Sequence, residues 1–250
     1  MTSSDVWDED AAKRYDATSA AMFAAEVLGP AVDLLTRLAG DGPALELAVG
    51  TGRVAVPLVE RGVPVTGIEL SRPMVERLRA KASAAELPVV IGDVAQATAP
   101  GCGTFSLVYL VFNTIGNLRT QDGQVACFAN AARHLAPGGR FVVEVEVPPL
   151  RSLPPGQRAV PFAVADEHTG FDTLDPVSQE AASHHFTRLP DGRYRYGVHH
   201  YRYVWPSELD LMGRLAGLVL EERTADWSGS PFTAESRSHV SVWRRPVAGG

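Results

Sequence analysis

Two glycines and three acids, each placed at or near the end of a short apolar run, are the residues of this chain best suited to chemistry. The first run, residues 44–49, carries Glu46 and leads into Gly50-Thr51-Gly52. Glycines there let the backbone pass close to a ligand where a Cβ would collide. Glu69 follows Gly50 by nineteen positions and ends a second apolar run, residues 63–68. A carboxylate at that place can accept from both hydroxyls of a ribose. Asp93 closes a third run, residues 89–92. Three such loops at the carboxyl ends of three neighbouring strands form the place where open α/β sheets bind ligands. The glycine pair alone is weak. A nicotinamide-binding fingerprint asks for G-x-G-x-x-G or a terminal Ala, and Ala55 keeps that reading open.

The elements that must position these residues alternate regularly. Residues 53–61 read as the helix after the glycine loop, and residues 73–85 as the helix after Glu69, with Ser71 as its N-cap. Residues 105–112 read as a fourth strand and residues 121–135 as a helix stopped by Pro137-Gly138-Gly139. Residues 140–147 give a fifth strand. Upstream, residues 22–38 read as a helix in which Pro30 argues for a break or a first-turn position. Alternating strands and helices predict a parallel sheet covered on both faces. Composition changes after Val147, where prolines mark an extended crossover into a strand-rich stretch. Pro190-Asp191-Gly192 is a hairpin signal. A helix over residues 206–217 and strands over residues 218–225 and 239–244 follow. The expectation is one domain over residues 1–250, with an N-terminal lid or helical segment over 1–38 and an inserted β-rich cap over 148–205.

The bulk numbers narrow the class. The 250 residues are 45% hydrophobic and 21% charged, ordinary for a globular chain. No apolar run approaches the roughly 20 residues of a membrane span, and the first residues have no basic or apolar leader pattern. A cytoplasmic protein without membrane partners is the default expectation. The formal charge of −6 argues against a nucleic-acid partner, which usually calls for a basic face. Of 23 basic residues only Lys13 and Lys81 are lysines. Cys102 and Cys127 match no metal-ligand spacing, so no metal is expected.

Taken in order, E-L-A-V-G-T-G, G-I-E-L-S, I-G-D-V, F-S-L-V and L-A-P-G-G-R-F-V-V-E resemble the motif series of class I S-adenosylmethionine-dependent methyltransferases of the small-molecule type. The resemblance covers roughly residues 15–147. It departs at Ala48, which stands where the family's first glycine usually lies. It implies an α/β, Rossmann-like, seven-stranded, mostly parallel sheet with an antiparallel edge hairpin, so the hairpin near Asp191 belongs to the inserted cap. The implied cofactor is S-adenosylmethionine. Its site would comprise Glu46, Gly50, Thr51, Gly52, Glu69, Leu70, Asp93, Val94 and Leu110, with Asp93 at the adenine amino group and Val94 against the ring. Glu46 would organise the glycine loop. Tyr15 matches a lid tyrosine of relatives, where an aromatic face near a sulfonium gains cation–π attraction. A plain core aromatic is the competing reading.

The end of the fourth strand, Phe112-Asn113-Thr114-Ile115, lacks the prolines of enzymes that methylate planar amides. That pattern points to small-molecule acceptors, an amine or hydroxyl of a sugar or secondary metabolite. Catalytic candidates are Tyr15, Asn113 and His239, the last as a base. Acceptor-binding candidates are Trp7, Phe112, His200, Trp227 and Phe232. Strand alternation puts Tyr194, Tyr196, Val198, His200 and Arg202 on one face of the cap. That face suits an anionic acceptor, a solvated surface or the contact of a homo-oligomer. A nicotinamide oxidoreductase and a non-enzymatic S-adenosylmethionine-binding protein remain alternatives. No Tyr-x-x-x-Lys pair supports the former.

Overall fold

The apolar runs become the strands of a seven-stranded sheet in a computed structural model that describes residues 8–18 and 20–247. Strands β1 (Ala44–Leu47), β2 (Val65–Glu69), β3 (Val89–Ile91), β4 (Phe105–Leu110) and β5 (Leu135–Glu146) are parallel. Strands β10 (Val219–Thr224) and β11 (Ser238–Arg244) add an antiparallel edge hairpin, with β11 paired to β5. The spatial order is β10-β11-β5-β4-β1-β2-β3. The order reverses between β1 and β4, so a crevice opens at their carboxyl ends.

Each face of the sheet has its own core. Helices α2 (Ala25–Ala39), α3 (Ala55–Glu60) and α4 (Arg72–Arg79) cover one face, where Leu35, Leu58 and Leu78 are fully buried. Helices α5 (Gln121–His134) and α6 (Pro206–Leu215) cover the other. There Phe128 meets Phe141 and Trp243 edge-on at 5.0 and 5.2 Å. Burying one such side chain contributes about 1.5–3 kcal/mol, before the edge-on geometry adds to it.

Local chemistry explains where elements start and stop. Ser71 caps α4 by accepting from the Met74 N–H at 3.3 Å. Pro30 lies inside α2, one turn later than a first-turn position, and the buried stripe Leu28, Ala31, Val32, Leu34 and Leu35 holds the helix through it. Strand β5 begins directly after α5, five residues before its expected start. Its register on β4 jumps between Phe105 and Leu107, and Pro137-Gly138-Gly139 fall in that jump as a bulge rather than a loop. Gly138 and Gly139 pair instead with Arg245 beyond the end of β11, each at 2.8 Å.

The cap is a four-stranded antiparallel meander: β6 (Ala159–Val164), β7 (His168–Leu174), β8 (Glu180–Arg188) and β9 (Tyr194–Arg202). Pro161 sits on its edge strand, where a missing N–H costs the ladder least. The cap is pinned to the core by Arg202, which donates to Gln124, to Gln179 at 2.7 Å and to Glu208 at 3.0 Å. Gly116 lets the cap approach, since a Cβ there would lie 3.3 Å from the Arg202 carbonyl. Helix α1 (Glu9–Thr18) lies on α4 and buries Ala12.

Candidate active site

The glycine loop turns through three left-handed residues, Ala48 at φ +58°, Gly50 at +56° and Gly52 at +83°. A Cβ on Gly52 would meet Val56 at 2.9 Å. Ala48 keeps the family's loop shape at a cost of about 1–2 kcal/mol of backbone strain. The loop is held from the neighbouring strand. Glu69 accepts from the Gly50 N–H and from the Ser71 N–H, each at 2.8 Å. Burial raises the Glu69 pKa, and these two bonds oppose that rise. Each carboxylate oxygen keeps accepting capacity for a hydroxyl donor.

Beneath the loop, Glu46 is buried and accepts from the Tyr109 hydroxyl at 3.0 Å. Burial pushes its pKa up to about 8, against the Tyr109 bond and the nearby Arg53 charge. Tyr15 projects from α1 to hydrogen-bond Arg53, and burial raises its pKa. The Arg53 guanidinium lies over the Phe112 ring at 5.1 Å. Helix α1, the glycine loop and the end of β4 therefore meet through Tyr15, Arg53 and Phe112. Asp93 caps its own turn by accepting from the Ala95 N–H at 2.8 Å, and Val94 packs into the α5-side core. Leu110 is fully buried in that same core, so its side chain does not face the crevice. Leu70 is half-buried beside Glu69. Thr51 donates its hydroxyl to Asp16 at 2.6 Å.

After β4 the chain makes two consecutive left-handed residues, Phe112 and Asn113, both at φ +58°. For an aromatic residue this is rare, and such strain collects at functional sites. It is held by β5. Glu144 accepts from the Phe112 N–H at 2.9 Å and from the Trp227 indole N–H at 2.7 Å. The Asn113 side-chain oxygen accepts from the Glu146 N–H at 2.7 Å, and its amide also bonds the Glu146 carboxyl. Asn113 thus positions Glu146. Across the crevice, the inner face of the cap presents Asp172, which accepts from Ser183 at 2.5 Å and from Tyr201. Burial raises the pKa of both Glu146 and Asp172; the bond from Asn113 opposes the rise at Glu146, where the Asp172 and Glu144 charges add to it. Glu146 is open to solvent as a residue while its carboxyl is flanked by protein. Among the described residues neither acid has an ion-pair partner.

The remaining expectations fall elsewhere. His239 is buried on the α6 side of β11, with Nδ1 2.8 Å from the Ser241 hydroxyl and its ring against Phe232. Burial and the Arg223 charge lower its pKa to about 4, and among the described residues Nε2 has no hydrogen-bond partner. His239 and Phe232 therefore form a structural pair away from the crevice, which removes the expected base. The register of β8 on β9 puts His200 on the outer face of the cap, with Tyr196. The residues that turn inward are one position away. His199 reaches Asn117 at 3.0 Å and Tyr201 packs near Gly116. Arg202 is consumed by the cap joint and is not free on the face it shares with His200. Trp7 lies outside the described residues. The residues missed by sequence reasoning had a signal at one place only: Glu144 and Glu146 alternate with Val145 at the end of an apolar strand, which puts both acids on one face.

Comparison with known proteins decides the chemistry. Residues 44–139 match the family model described as a methyltransferase domain. The CcbJ methyltransferase from Streptomyces caelestis is 38% identical and superposes with a TM-score of 0.78, covering 87% of this chain and 89% of that one. The chain belongs to the class I S-adenosylmethionine-dependent methyltransferases. This methyltransferase is also 28% identical to the cypemycin N-terminal methyltransferase of a Streptomyces species, over 98% of this chain and 100% of the relative. It is 35% identical over 145 residues to a dTDP-4-amino-2,3,4,6-tetradeoxy-D-glucose N,N-dimethyltransferase of Saccharopolyspora spinosa, over 56% of each chain. Its cofactor is S-adenosylmethionine. The residues present fit that group: the buried Glu69 braces the glycine loop through the Gly50 N–H and keeps acceptor capacity for hydroxyls. Among the described residues no three His, Cys, Asp or Glu side chains form a metal cluster, and no helix is long and apolar enough to cross a membrane.

Proposed function

We propose that this methyltransferase methylates an amine of a small sugar or secondary-metabolite acceptor, bound between the ends of β4 and β5 and the inner face of the cap. One observation carries this reading: the crevice is lined by Glu144, Glu146 and Asp172 with no cationic side chain paired to the last two. A lining of that kind favours a basic acceptor over an anionic one. One relative acts at nitrogen by name, the aminosugar N,N-dimethyltransferase, and another is named for the N-terminus of cypemycin.

On this reading Glu69 takes the ribose hydroxyls, and Asp93 and Val94 with Leu70 form the adenine end. Gly50, Thr51 and Gly52 supply the close backbone, while Glu46, Arg53 and Tyr15 surround the methionine end. The cofactor supplies a methyl group already activated on a sulfonium. The protein's part is then position and exclusion of water, which in favourable systems accounts for roughly 7–11 kcal/mol of barrier. Phe112 and Trp227 wall the crevice, and Glu146, positioned by Asn113, takes the proton that the amine loses.

A hydroxyl acceptor is the second reading. It is favoured by His199, which faces the crevice and is held neutral by burial. Its Nε2–H directed at the Asn117 oxygen would leave Nδ1 as a base. The test is turnover of paired amine and alcohol acceptors of equal shape, read as a mass gain of one CH2, with methyl chemical shifts separating N- from O-methyl. Turnover on alcohols alone would remove the amine reading. Saturable binding of NAD without binding of S-adenosylhomocysteine would remove the assigned cofactor site.

A further inference from the structure

Two adjacent residues fasten the lid helix to the cofactor loop. Asp16 stands next to Tyr15 on α1. Its Oδ1 accepts from the Thr51 hydroxyl at 2.6 Å, and its Oδ2 pairs with Lys81 Nζ at 2.6 Å. Lys81, just beyond the end of α4, also donates to the Thr51 carbonyl at 3.1 Å and to the Thr51 hydroxyl at 3.2 Å. The three N–H bonds of one ammonium thus converge on the two residues that join lid to loop. The Phe23 ring lies 5.1 Å from the same ammonium and closes the node on its outer side.

The choice of residue matters. Nearly every cation in this chain is arginine, yet a lysine stands at this node. A guanidinium presents its donors in a flat fork, whereas an ammonium presents three around a point. Only the latter suits three acceptors gathered about one place. The ion pair is also partly enclosed, with side-chain exposures of 30% for Lys81 and 27% for Asp16, so solvent screens it less than the open Glu9–Lys13 pair on the same helix. Burial works to raise the Asp16 pKa, but its bonds to Lys81 and Thr51 outweigh that and hold it below the usual range. Asp16 is therefore charged at neutral pH.

We propose that Asp16 is a positioning residue for methyl transfer: by gripping Thr51 and Lys81 it fixes α1, and with it Tyr15, over the glycine loop in the arrangement that retains the cofactor. The proposal rests on the assignment of residues 48–52 as the cofactor loop. Tyr15 bonds Arg53 and Asp16 bonds Thr51, so two adjacent lid residues grip the loop two residues apart. Loss of the second grip leaves Tyr15 on a helix free to rotate away.

The experiment uses the full chain and S-adenosylhomocysteine as probe. Affinity is measured by calorimetry well below each variant's melting temperature, and hydrogen exchange is followed over residues 9–18. Asp16→Asn and Thr51→Val are expected to weaken binding about ten- to a hundredfold, the range for a charge-assisted bond. Exchange over the lid should rise in both. Thr51→Ser keeps the hydroxyl and should retain most of the affinity. Lys81→Arg keeps the charge but not the convergence and should fall between. The double variant Asp16→Asn/Thr51→Val should be no weaker than the worse single one. Lys13→Ala breaks the open pair of the same helix and should leave affinity within twofold. The latch is overturned if folded Asp16→Asn binds within twofold of wild type with unchanged lid exchange. It is equally overturned if Lys13→Ala matches Asp16→Asn, because general fraying of α1 would then explain both. Failure of the wild-type chain itself to bind the probe would instead overturn the cofactor-loop assignment, and the latch with it.

Discussion

Glu69→Gln separates the bracing of the glycine loop from the ribose contact proposed for the same carboxylate. The carboxylate accepts one backbone N–H on each oxygen, from Gly50 and from Ser71, and is 6% exposed. Glutamine keeps one acceptor oxygen and turns an NH2 group toward the other N–H. One charge-assisted bond is lost, worth about 1.5–3 kcal/mol, and one enclosed N–H is left without a partner. The raised Glu69 pKa shows that burial already penalises the charge, and removing the charge recovers part of the loss. The lower end of the range is therefore expected for stability. For a chain of this size a kcal/mol is worth about 2–4 °C, so the ligand-free variant should melt roughly 3–6 °C lower. Affinity should suffer at the upper end, because both ribose hydroxyls are expected to donate to the same carboxylate. A loss of about 3 kcal/mol is roughly a hundredfold in Kd. Calorimetric melting without ligand reads the first effect, and titration with S-adenosylhomocysteine below the transition reads the second. An unchanged melting temperature would refute the bracing of the loop. A lowered melting temperature with unchanged Kd would refute the ribose assignment alone.

Four further outcomes follow from the same geometry. Ala48→Gly removes left-handed strain and should melt no lower than wild type, whereas Ala48→Val, β-branched at the same φ, should lose more than about 1 kcal/mol in chemical denaturation. Arg202→Met strands Glu208 and both glutamines at the cap joint; a loss of about 3–5 kcal/mol is expected, and denaturation of wild type and variant measures it. Glu46 has its pKa raised to about 8 from an unfolded 4.5, so its contribution to ligand-free stability is fully present below pH 4.5 and is lost as pH rises through 8. Melting of Glu46→Gln across that window should be the flatter of the two. Tyr15→Ala should lower turnover more than Tyr15→Phe if the ring faces the sulfonium, by up to roughly 30-fold for a cation–π share of about 2 kcal/mol. Equal losses would assign the effect to the hydroxyl's bond with Arg53.

The parallel part of the fold was legible because its strands are short apolar runs closed by Gly, Glu or Asp, and each closure is a local event. The hairpin β8–β9 was legible through the turn chemistry of Pro190-Asp191-Gly192, whereas the pairing of β10 with β11 at the sheet edge came from the family resemblance. Strand β6 was hidden by Pro161 and by the prolines before it, which also suit an extended crossover, and β7 carries no turn signal of the Pro-Asp-Gly kind at its ends. The start of β5 was hidden because the bulge at Pro137-Gly138-Gly139 is stabilised by Arg245, more than a hundred residues away. Of the acids expected at the site, Glu69 ends β2, Asp93 follows β3 and Glu46 lies within β1, so each has a local mark in an apolar run. Asp16 and Lys81 could not be found, since an acid on a polar helix and a lysine after another carry no mark of their meeting. His200 against His199 shows the sharpest limit. Alternation groups residues onto faces, but only the packing of β9 on the Gly116 turn says which face looks inward.

The two strained turns of this protein are built alike. Strands β1 and β4 lie side by side at the centre of the sheet, and each ends in left-handed residues with a Cβ: Ala48 after β1, Phe112 and Asn113 after β4. In each case the strand on the outer side supplies a carboxylate that accepts a backbone N–H of the strained turn. Glu69 of β2 holds Gly50, and Glu144 of β5 holds Phe112. A carboxylate is the fitting group, because its bond to an N–H is stronger than that of a neutral acceptor and can offset strain of about 1–2 kcal/mol per residue. The same oxygens have a second use: Glu69 faces the place assigned to the ribose, and Glu144 reaches Trp227 on the acceptor side. Strain and its restraint thus fall on the two loops that the proposed site assigns to cofactor and acceptor. Because β1 and β4 are hydrogen-bonded neighbours, a rigid ladder fixes the distance between those loops. On the proposed assignment, the spacing of donor and acceptor is then set by the sheet, and α1 has only to cover the glycine loop.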